Sequence, residues 1–303
     1  MLKKSWVLKA KPNIDVVNLL QQELSVHKSI CELLAQRGIN SLEKAKKFFR
    51  PSHAQIHNPM TMKNMAEAVQ RIKNAINKKE KILIYGDYDV DGTTAVAMVF
   101  SFFKDFYDNL IYYVPNRYSE GYGISVKSID FAKNENVKLV IALDCGIKAV
   151  SKVAYAKSKE IDYIICDHHL PGEVLPNGII LNPKQVGCGY PFKELSGAGV
   201  GFKLLQAYCT ESKIEIEKPN LYLDLLAISI GADMVPIVDE NRVLAKYGME
   251  KLNSSPNLGV KAILNNAKIE RMVNMRDIGF SIGPRINAAG RISDASKAVE
   301  LLI

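Results

Sequence analysis

The 303-residue sequence predicts an α/β fold, a mostly parallel sheet flanked by helices, with a helical arm before it and a helical extension after it. Three observations predict it. Between residues 81 and 183 short apolar runs alternate with helix-patterned segments, as expected of strands joined by crossover helices. Before residue 60 and after residue 196 the patterning is helical. Carboxylates and histidines follow three of the apolar runs, and in an open parallel sheet the carboxyl ends of the strands form the edge where ligands bind.

The arm reads as three helices, VVNLLQQELSV, SICELLAQRG and SLEKAKKFF, the last with Ser41 as N-cap. RPSHAQIHNPM breaks the pattern with two prolines and reads as a linker. Residues 64–78 form a helix leading to the first strand, KILIYG. A helix follows over TTAVAMVFSFFKDF, with Thr93 or Thr94 at its start. IYYVP, KLVIALD, DYIICD and GIILNP are the next strands, with SVKSIDFAKNE and AVSKVAYAKSK as helices between them. Helices are then expected over AGVGFKLLQAYC, PNLYLDLLAISIGA, NRVLAKYGMEKLN and LGVKAILNNA. The final pattern, DASKAVELLI, has no cap or stop signal and reads as an interrupted element. The expected organisation is an arm at 1–60, a central domain at 61–240 and an extension at 241–303.

Hydrophobic residues at 48% and charged residues at 24% are ordinary for a globular chain that can bury a sizeable core. No apolar run approaches the roughly 20 residues of a membrane span, and the start lacks the apolar stretch of a signal peptide. The five scattered cysteines do not form a disulfide framework, so a reducing cytoplasm is expected. The net charge of +8 favours polyanionic partners, nucleic acid first, although each lysine cluster alone reads as a solvated helix face.

YGDYDVDGTTA places Asp87, Asp89 and Asp91 at alternate positions after the first strand. The third strand ends at Asp144, and the fourth at Asp167, His168 and His169. Crowded carboxylates repel one another, and GDYDVDG holds no lysine or arginine to balance them. Each piece has an ordinary alternative: Asp91-Gly92 as a turn, Asp144 or Asp233 as a helix cap, DHH as a surface turn. Three strand ends carrying such residues by chance is the weaker reading. Carboxylates with imidazole suit Mn²⁺ or Mg²⁺, and the surplus of ligands over one ion suits a pair of divalent cations on a phosphate. Cys145 and Cys166 read as small fillers, and His27, His53 and His57 lie away from the strand ends.

The motifs GDYDVDGTTA, NRYSEGYGI, ALDCGI, CDHH, YPFKELSGAGVGFKL, GADMVP and GPRINAAGR occur in the order found in RecJ, and from Trp6 onward the sequence resembles this exonuclease family of the DHH phosphoesterase superfamily. The resemblance implies a two-metal phosphodiesterase acting 5′→3′ on single-stranded DNA in repair and recombination. It implies Asp89, Asp91, Asp144, His168 and Asp233 as metal ligands, with Asp144 bridging. It places His169 near the substrate phosphate, and Asp87 and Asp167 as acids that orient the ligands. Arg117, Arg285, Asn287 and Arg291 are candidate substrate contacts, with buried pairing to Asp277 or Asp294 as the competing role for the last two arginines. Tyr118 and Tyr122 are candidates for base stacking. SGAGVG permits a helix to start close to a strand or a phosphate, or to pack tightly. A single-stranded-DNA-binding protein or a helicase is an expected partner.

Two departures stand out. The family's IADVVP reads IGADMVP here, and the second catalytic domain and OB-fold of the family do not follow. Weak activity is therefore expected of this half. The alternatives are a phosphodiesterase of short oligonucleotides or small substrates, and a non-catalytic scaffold binding DNA or replication proteins.

Overall fold

The computed structural model describes residues 5–292 and 295–303, with only the backbone of 291 and 292. The chain divides into two compact units, with the boundary along the sequence between Ile56 and His57. In the first, α1 (Ile14–Leu24), α2 (Lys28–Gln36) and α3 (Leu42–Phe49) bury Val17, Leu20, Cys31, Leu34, Ile39 and Ala45. Each helix has a side-chain N-cap: Asn13, His27 and Ser41. His27 thus has a local role that the sequence did not reveal, its Nδ1 accepting from Ser29 N–H at 3.3 Å.

In the second unit, α4 (Met65–Asn77) precedes β1 (Lys81–Gly86), α5 (Val90–Lys104), β2 (Leu110–Tyr113), α6 (Val126–Asn134), β3 (Val137–Leu143), α7 (Val150–Ser158), β4 (Asp162–Cys166) and β5 (Ile179–Leu181). All strand pairs are parallel, in the order β2-β1-β3-β4-β5. Because strand side chains alternate, Leu83, Tyr85, Val140, Ala142, Tyr163, Ile165 and Ile180 share one face, packed with α6 and α7 residues Ile129, Ala132, Val153 and Ala156. The opposite face meets α4, α5 and α8 (Gly197–Ser212). β2 is shorter than IYYVP because Pro115 has no N–H for the ladder.

α5 starts at Val90, three residues before the expected threonine. Asp89 caps it, accepting from Gly92 N–H at 2.9 Å, so Asp91 and Gly92 lie in its first turn. Gly92 is not a turn residue: a Cβ there would sit 2.5 Å from the Asp87 carbonyl oxygen, so the helix start lies directly against the strand end. The expected helix over 219–232 is a 3₁₀ turn at Lys218–Tyr222 followed by α9 (Leu223–Ala232).

Beyond it lie α10 (Asp239–Ser254), α11 (Leu258–Asn266), α12 (Met275–Asp277), a π-turn at Ile278–Ile282, α13 (Gly283–Ile292) and α14 (Ser296–Leu302). The expected start of the last helix, at Asp294, lies outside the described residues. α10 packs against α9 through Gly248, whose bare Cα faces the Leu223 carbonyl. A buried network joins α8 to α10. Lys203 Nζ lies 2.7 Å from Glu240 Oε1 and donates to the His57 carbonyl at 2.7 Å, while the Tyr190 hydroxyl donates to Glu240 Oε2. Among the described residues no helix is long and apolar enough to cross a membrane. All five cysteines are free.

Candidate metal centre

The strand register sets the frame. Gly86 pairs with Leu143, Leu143 with Cys166, and Cys166 with Leu181. The next residues, Asp87, Asp144, Asp167 and Asn182, therefore end four adjacent strands in one row. β1 lies between β2 and β3, so the direction of winding reverses there, and a crevice opens at the carboxyl ends of such strands.

Asp91 is drawn into this crevice by two other helices. Its carboxylate accepts from Gly197 N–H at 2.7 Å and Ala198 N–H at 2.8 Å, at the positive N-terminus of α8, and from the Ser229 hydroxyl of α9 at 2.7 Å. Gly197 is required by closeness, since a Cβ there would collide with the Asp144 side chain. SGAGVG thus starts a helix against a strand end, and Gly201 packs against Leu143 within the same helix. Asp144 holds a left-handed backbone, φ 59°, rare outside glycine, asparagine and aspartate. Its N–H donates to the Cys166 carbonyl at 2.9 Å, and its own carbonyl accepts from the Tyr122 hydroxyl at 3.3 Å.

His168 stands among these acids. Its Nε2 lies 3.2 Å from Asp144 Oδ1, 3.7 Å from Asp233 Oδ2 and 3.9 Å from Asp91 Oδ2. Two overlapping sets, Asp144–His168–His169 and Asp91–His168–Asp233, each bring one potential ligand atom per residue within 4.8 Å of the others. Burial, then repulsion from Asp91 and Asp89, raises the Asp144 carboxyl well above its usual range. The same causes push Asp233 up to about 7, and Asp89 is raised by burial and by Asp91. Burial lowers the His168 imidazole. No lysine or arginine among the described residues forms an ion pair with Asp89, Asp91, Asp144 or Asp233. Asp144 Oδ1 and His168 Nε2 are buried, face each other and have no hydrogen-bond partner. Buried polar atoms are rarely left so. A divalent cation taking oxygen and imidazole ligands fits this donor set.

Around the crevice the other acids are already occupied. Asp87 accepts from Tyr88 N–H at 2.7 Å and Gly123 N–H at 2.6 Å, which ties the loop after β2 to the end of β1. Asp167 accepts from Ile147 N–H at 2.9 Å and lies 2.7 Å from His169 Nδ1. Burial opposes ionisation of Asp167, but the His169 hydrogen bond and charge outweigh it and hold its pKa low. The same bond raises His169. His169 is edge-on to Tyr122, Tyr122 to Tyr88, and the Arg117 guanidinium lies 4.3 Å from the centre of the Tyr88 ring. Glu120 fixes this loop from beneath, accepting from Asn116 N–H at 2.9 Å and Ser125 Oγ at 2.6 Å. Tyr118 is exposed at its tip.

The three residues chosen from GPRINAAGR separate. All lie in α13. Gly283 and Gly290 face Val90 and the Tyr88 carbonyl, and Asn287 shares their helix face by its i+4 and i−3 spacing. Its Oδ1 is buried without a partner, as is Arg117 Nε. Arg285 points elsewhere: it is exposed, donating to Asn266 Oδ1 at 3.3 Å and the Ser281 carbonyl at 2.9 Å. Asp277 does not pair with it, being held by Arg271 through two 2.7 Å contacts. The Arg291 side chain and Asp294 lie outside the described residues.

Sequence reasoning missed Ser229 and Asn182. Ser229 is the one hydroxyl in a buried, mostly apolar helix that also holds Asp224. Asn182 ends the fifth strand as the aspartates end the others, and its amide donates to the His169 carbonyl at 2.9 Å. Reading the end of GIILNP like the other strand ends would have found it.

Comparison with known proteins places this geometry. Residues 81–230 match the DHH family, N-terminal domain. The chain is 40% identical to the single-stranded-DNA-specific exonuclease RecJ of Bacillus subtilis (strain 168), over 99% of this chain and 38% of that protein. It is 36% identical to that of Escherichia coli (strain K12), over 89% of this chain and 48% of that protein. The crystal structure of RecJ in complex with Mn²⁺ from Thermus thermophilus superposes with a TM-score of 0.81 at 25% identity, covering 97% of this chain and 42% of that one. The chain thus spans less than half the length of these relatives. Residues 81–230 thus match the N-terminal domain of the DHH family, and the chain is similar along nearly all its length to a part of RecJ.

Proposed function

We propose that this chain holds the metal-bearing part of a phosphodiesterase that degrades single-stranded DNA from the 5′ end. One observation carries the reading: buried acids converge on an imidazole, no lysine or arginine among the described residues pairs with them, and Asp144 Oδ1 and His168 Nε2 are left without partners. Asp89, Asp91, Asp144, His168 and Asp233 would hold two divalent cations, Mn²⁺ first and Mg²⁺ second. Bound there, such ions supply Lewis acidity and a water of lowered pKa beside a phosphate.

The rest is done by the chain's own residues. Asp167 holds His169 at Nδ1 and favours its imidazolium form, in which Nε2–H would donate to a phosphate oxygen. Asp87 fixes the loop that carries Tyr122 and Arg117. Arg117 is a phosphate-side contact, with Arg291 a further candidate by the resemblance; the Asn287 oxygen, which can only accept, would meet an N–H donor on a base edge, and Arg285, on another face of α13, meets only a more distant part of a strand. The exposed rings of Tyr118 and Tyr122 offer faces to unstacked bases. A single-stranded-DNA-binding protein or a helicase would present such a strand.

The test is a gel assay on 5′-labelled single-stranded DNA with Mn²⁺, for this chain and for a longer chain that includes the region its relatives have beyond it. Mononucleotide release from the 5′ end by both, weaker for this chain, is the expected result. Cleavage of short oligonucleotides alone would redirect the reading to a small-substrate phosphodiesterase. DNA binding without turnover in either chain would redirect it to a scaffold.

A further inference from the structure

β5 ends beside the metal centre, and the residues after its end carry a charge that the acids do not use. Asn182 is wholly buried. Its side chain bonds in two directions, donating to the His169 carbonyl at 2.9 Å and accepting from Lys184 N–H at 2.7 Å. The backbone of Lys184 is thereby fixed to the segment bearing both histidines. Its side chain is only 19% exposed and lies 3.2 Å from Glu194 Oε2. The Glu194 backbone is anchored in turn, its carbonyl accepting from Asn241 Nδ2 at 2.5 Å. Lys184 thus follows β5 two residues past the row of strand-end residues and is tied through Asn182 to the backbone of His169.

A lysine there is poorly placed for metal binding alone. It forms no ion pair with Asp233, and it repels any cation that the acids attract. An anion arriving at the centre reverses the account. A phosphate bound between the cations and the β5 edge brings negative charge toward the ammonium, and Glu194, half-exposed, is a weak competitor for it. We infer that Lys184 is a substrate contact, holding a backbone phosphate of single-stranded nucleic acid on the β5 side of the centre. Glu194 holds the ammonium in place until that phosphate displaces it. Arg117 lies after β2, at the opposite end of the strand order, so the two cations would grip a strand from both sides of the crevice. The inference rests on the phosphodiesterase reading above.

The two partners of the pair should respond in opposite directions. The measurement is fluorescence anisotropy of a labelled, hydrolysis-resistant phosphorothioate oligothymidylate with Mn²⁺, over a salt series, with melting temperatures as the control for folding. Lys184→Gln should weaken binding by about five- to tenfold at low salt and reduce the slope of log K against log salt by about 0.7, the value for one single-strand phosphate contact. Glu194→Gln, by freeing the ammonium, should leave binding unchanged or tighten it. Wild-type affinity and slope in Lys184→Gln would overturn the inference and leave the phosphodiesterase reading standing. Equal loss of binding and of melting temperature in both variants would also overturn it, making the pair a structural bridge. No Mn²⁺-dependent binding by the parent chain would overturn both.

Discussion

Two regions of this molecule bury charge, and they do so in opposite ways. At the junction of α8 and α10, Lys203 and Glu240 are both fully buried, but the ammonium has the Glu240 carboxylate and the His57 carbonyl, and the carboxylate has Lys203 and Tyr190. Charge sums to zero there. At the strand ends, Asp91 and Asp144 are as deeply buried, with Asp89 and Asp233 beside them, and among the described residues the basic groups that pair with them are imidazoles, that of His168 with its pKa lowered by burial. A buried pair that carries its own counter-ion is part of the architecture. A buried cluster that lacks one depends on an ion from solution. Motif residues divide along the same line: Tyr190 and Lys203, prominent in YPFKELSGAGVGFK, serve the first region, whereas Gly197 and Ala198 in the same motif serve the second.

The sharpest way to break this comparison is to remove one acid from each region. Asp144→Ala should lose Mn²⁺ affinity by more than about 100-fold, beyond what loss of a group that merely orients a ligand produces, and turnover with it. Stoichiometric Mn²⁺ binding by that variant in calorimetry would contradict the assignment. In EDTA, by contrast, Asp144→Asn should be at least as stable as the parent, because a repelling charge is gone. The histidines refine the prediction. His168→Ala should lose metal by elemental analysis, whereas His169→Ala should keep it and lose about 10²–10⁴ in rate, the usual contribution of a positioned acid. Equal metal loss in the two would show that their roles are misassigned.

In the balanced region the sign reverses. Lys203→Met leaves Glu240 buried and uncompensated, which costs about 3–5 kcal/mol in a urea titration, and replacing both partners by methionine should recover part of it. If Lys203→Met is no more costly than Asp144→Asn in EDTA, the two regions do not differ as argued.

A pH series sharpens the contrast at smaller scale. Asp87 and Asp233 have folded-state pKa values pushed up to about 7, by burial first, against about 4 when unfolded. Neutral carboxyls are thus favoured in the fold. Their contribution to stability is present below about pH 4 and is lost as pH rises through about 7. In EDTA the melting temperature should therefore fall over that window from these groups, and Mn²⁺ should restore it at the upper end by binding the folded state. A metal-free chain whose stability rises across the window would show that these acids are not repelling one another.

The sheet was legible in the sequence because its strands are apolar runs, and the candidate centre because aspartate and histidine end those runs. What holds the centre was not legible. Asp91 meets Gly197, Ala198 and Ser229, partners 106, 107 and 138 residues away, and no local pattern relates them. The start of α5 was misplaced because Asp91-Gly92 reads equally well as a turn, and the contact of Gly92 with Asp87 is what distinguishes a helix packed on a strand end. α13 was not foreseen as a helix because two glycines and a proline depress its propensity. Two of those residues, Gly283 and Gly290, lie on the side of α13 that faces Val90 and the Tyr88 carbonyl.

That last contact yields the smallest prediction and the most discriminating one for the C-terminal segment. Composition alone favours Arg285 over Asn287 as a DNA contact, since arginine is the better phosphate ligand. Helix geometry favours the reverse. Asn287 lies on the face of α13 that carries Gly283 and Gly290 and keeps a buried oxygen without a partner, whereas Arg285 is exposed and turned to Asn266. Asn287→Ala should thus weaken binding of a single-stranded oligonucleotide about fivefold, the effect of one lost hydrogen bond. Arg285→Ala should change affinity by less than about twofold and leave the salt slope unaltered, because no phosphate contact is lost. A salt slope that falls by about 0.7 in Arg285→Ala, with Asn287→Ala unchanged, would mean that the strand runs over the outer face of α13 and not along the face that meets Tyr88.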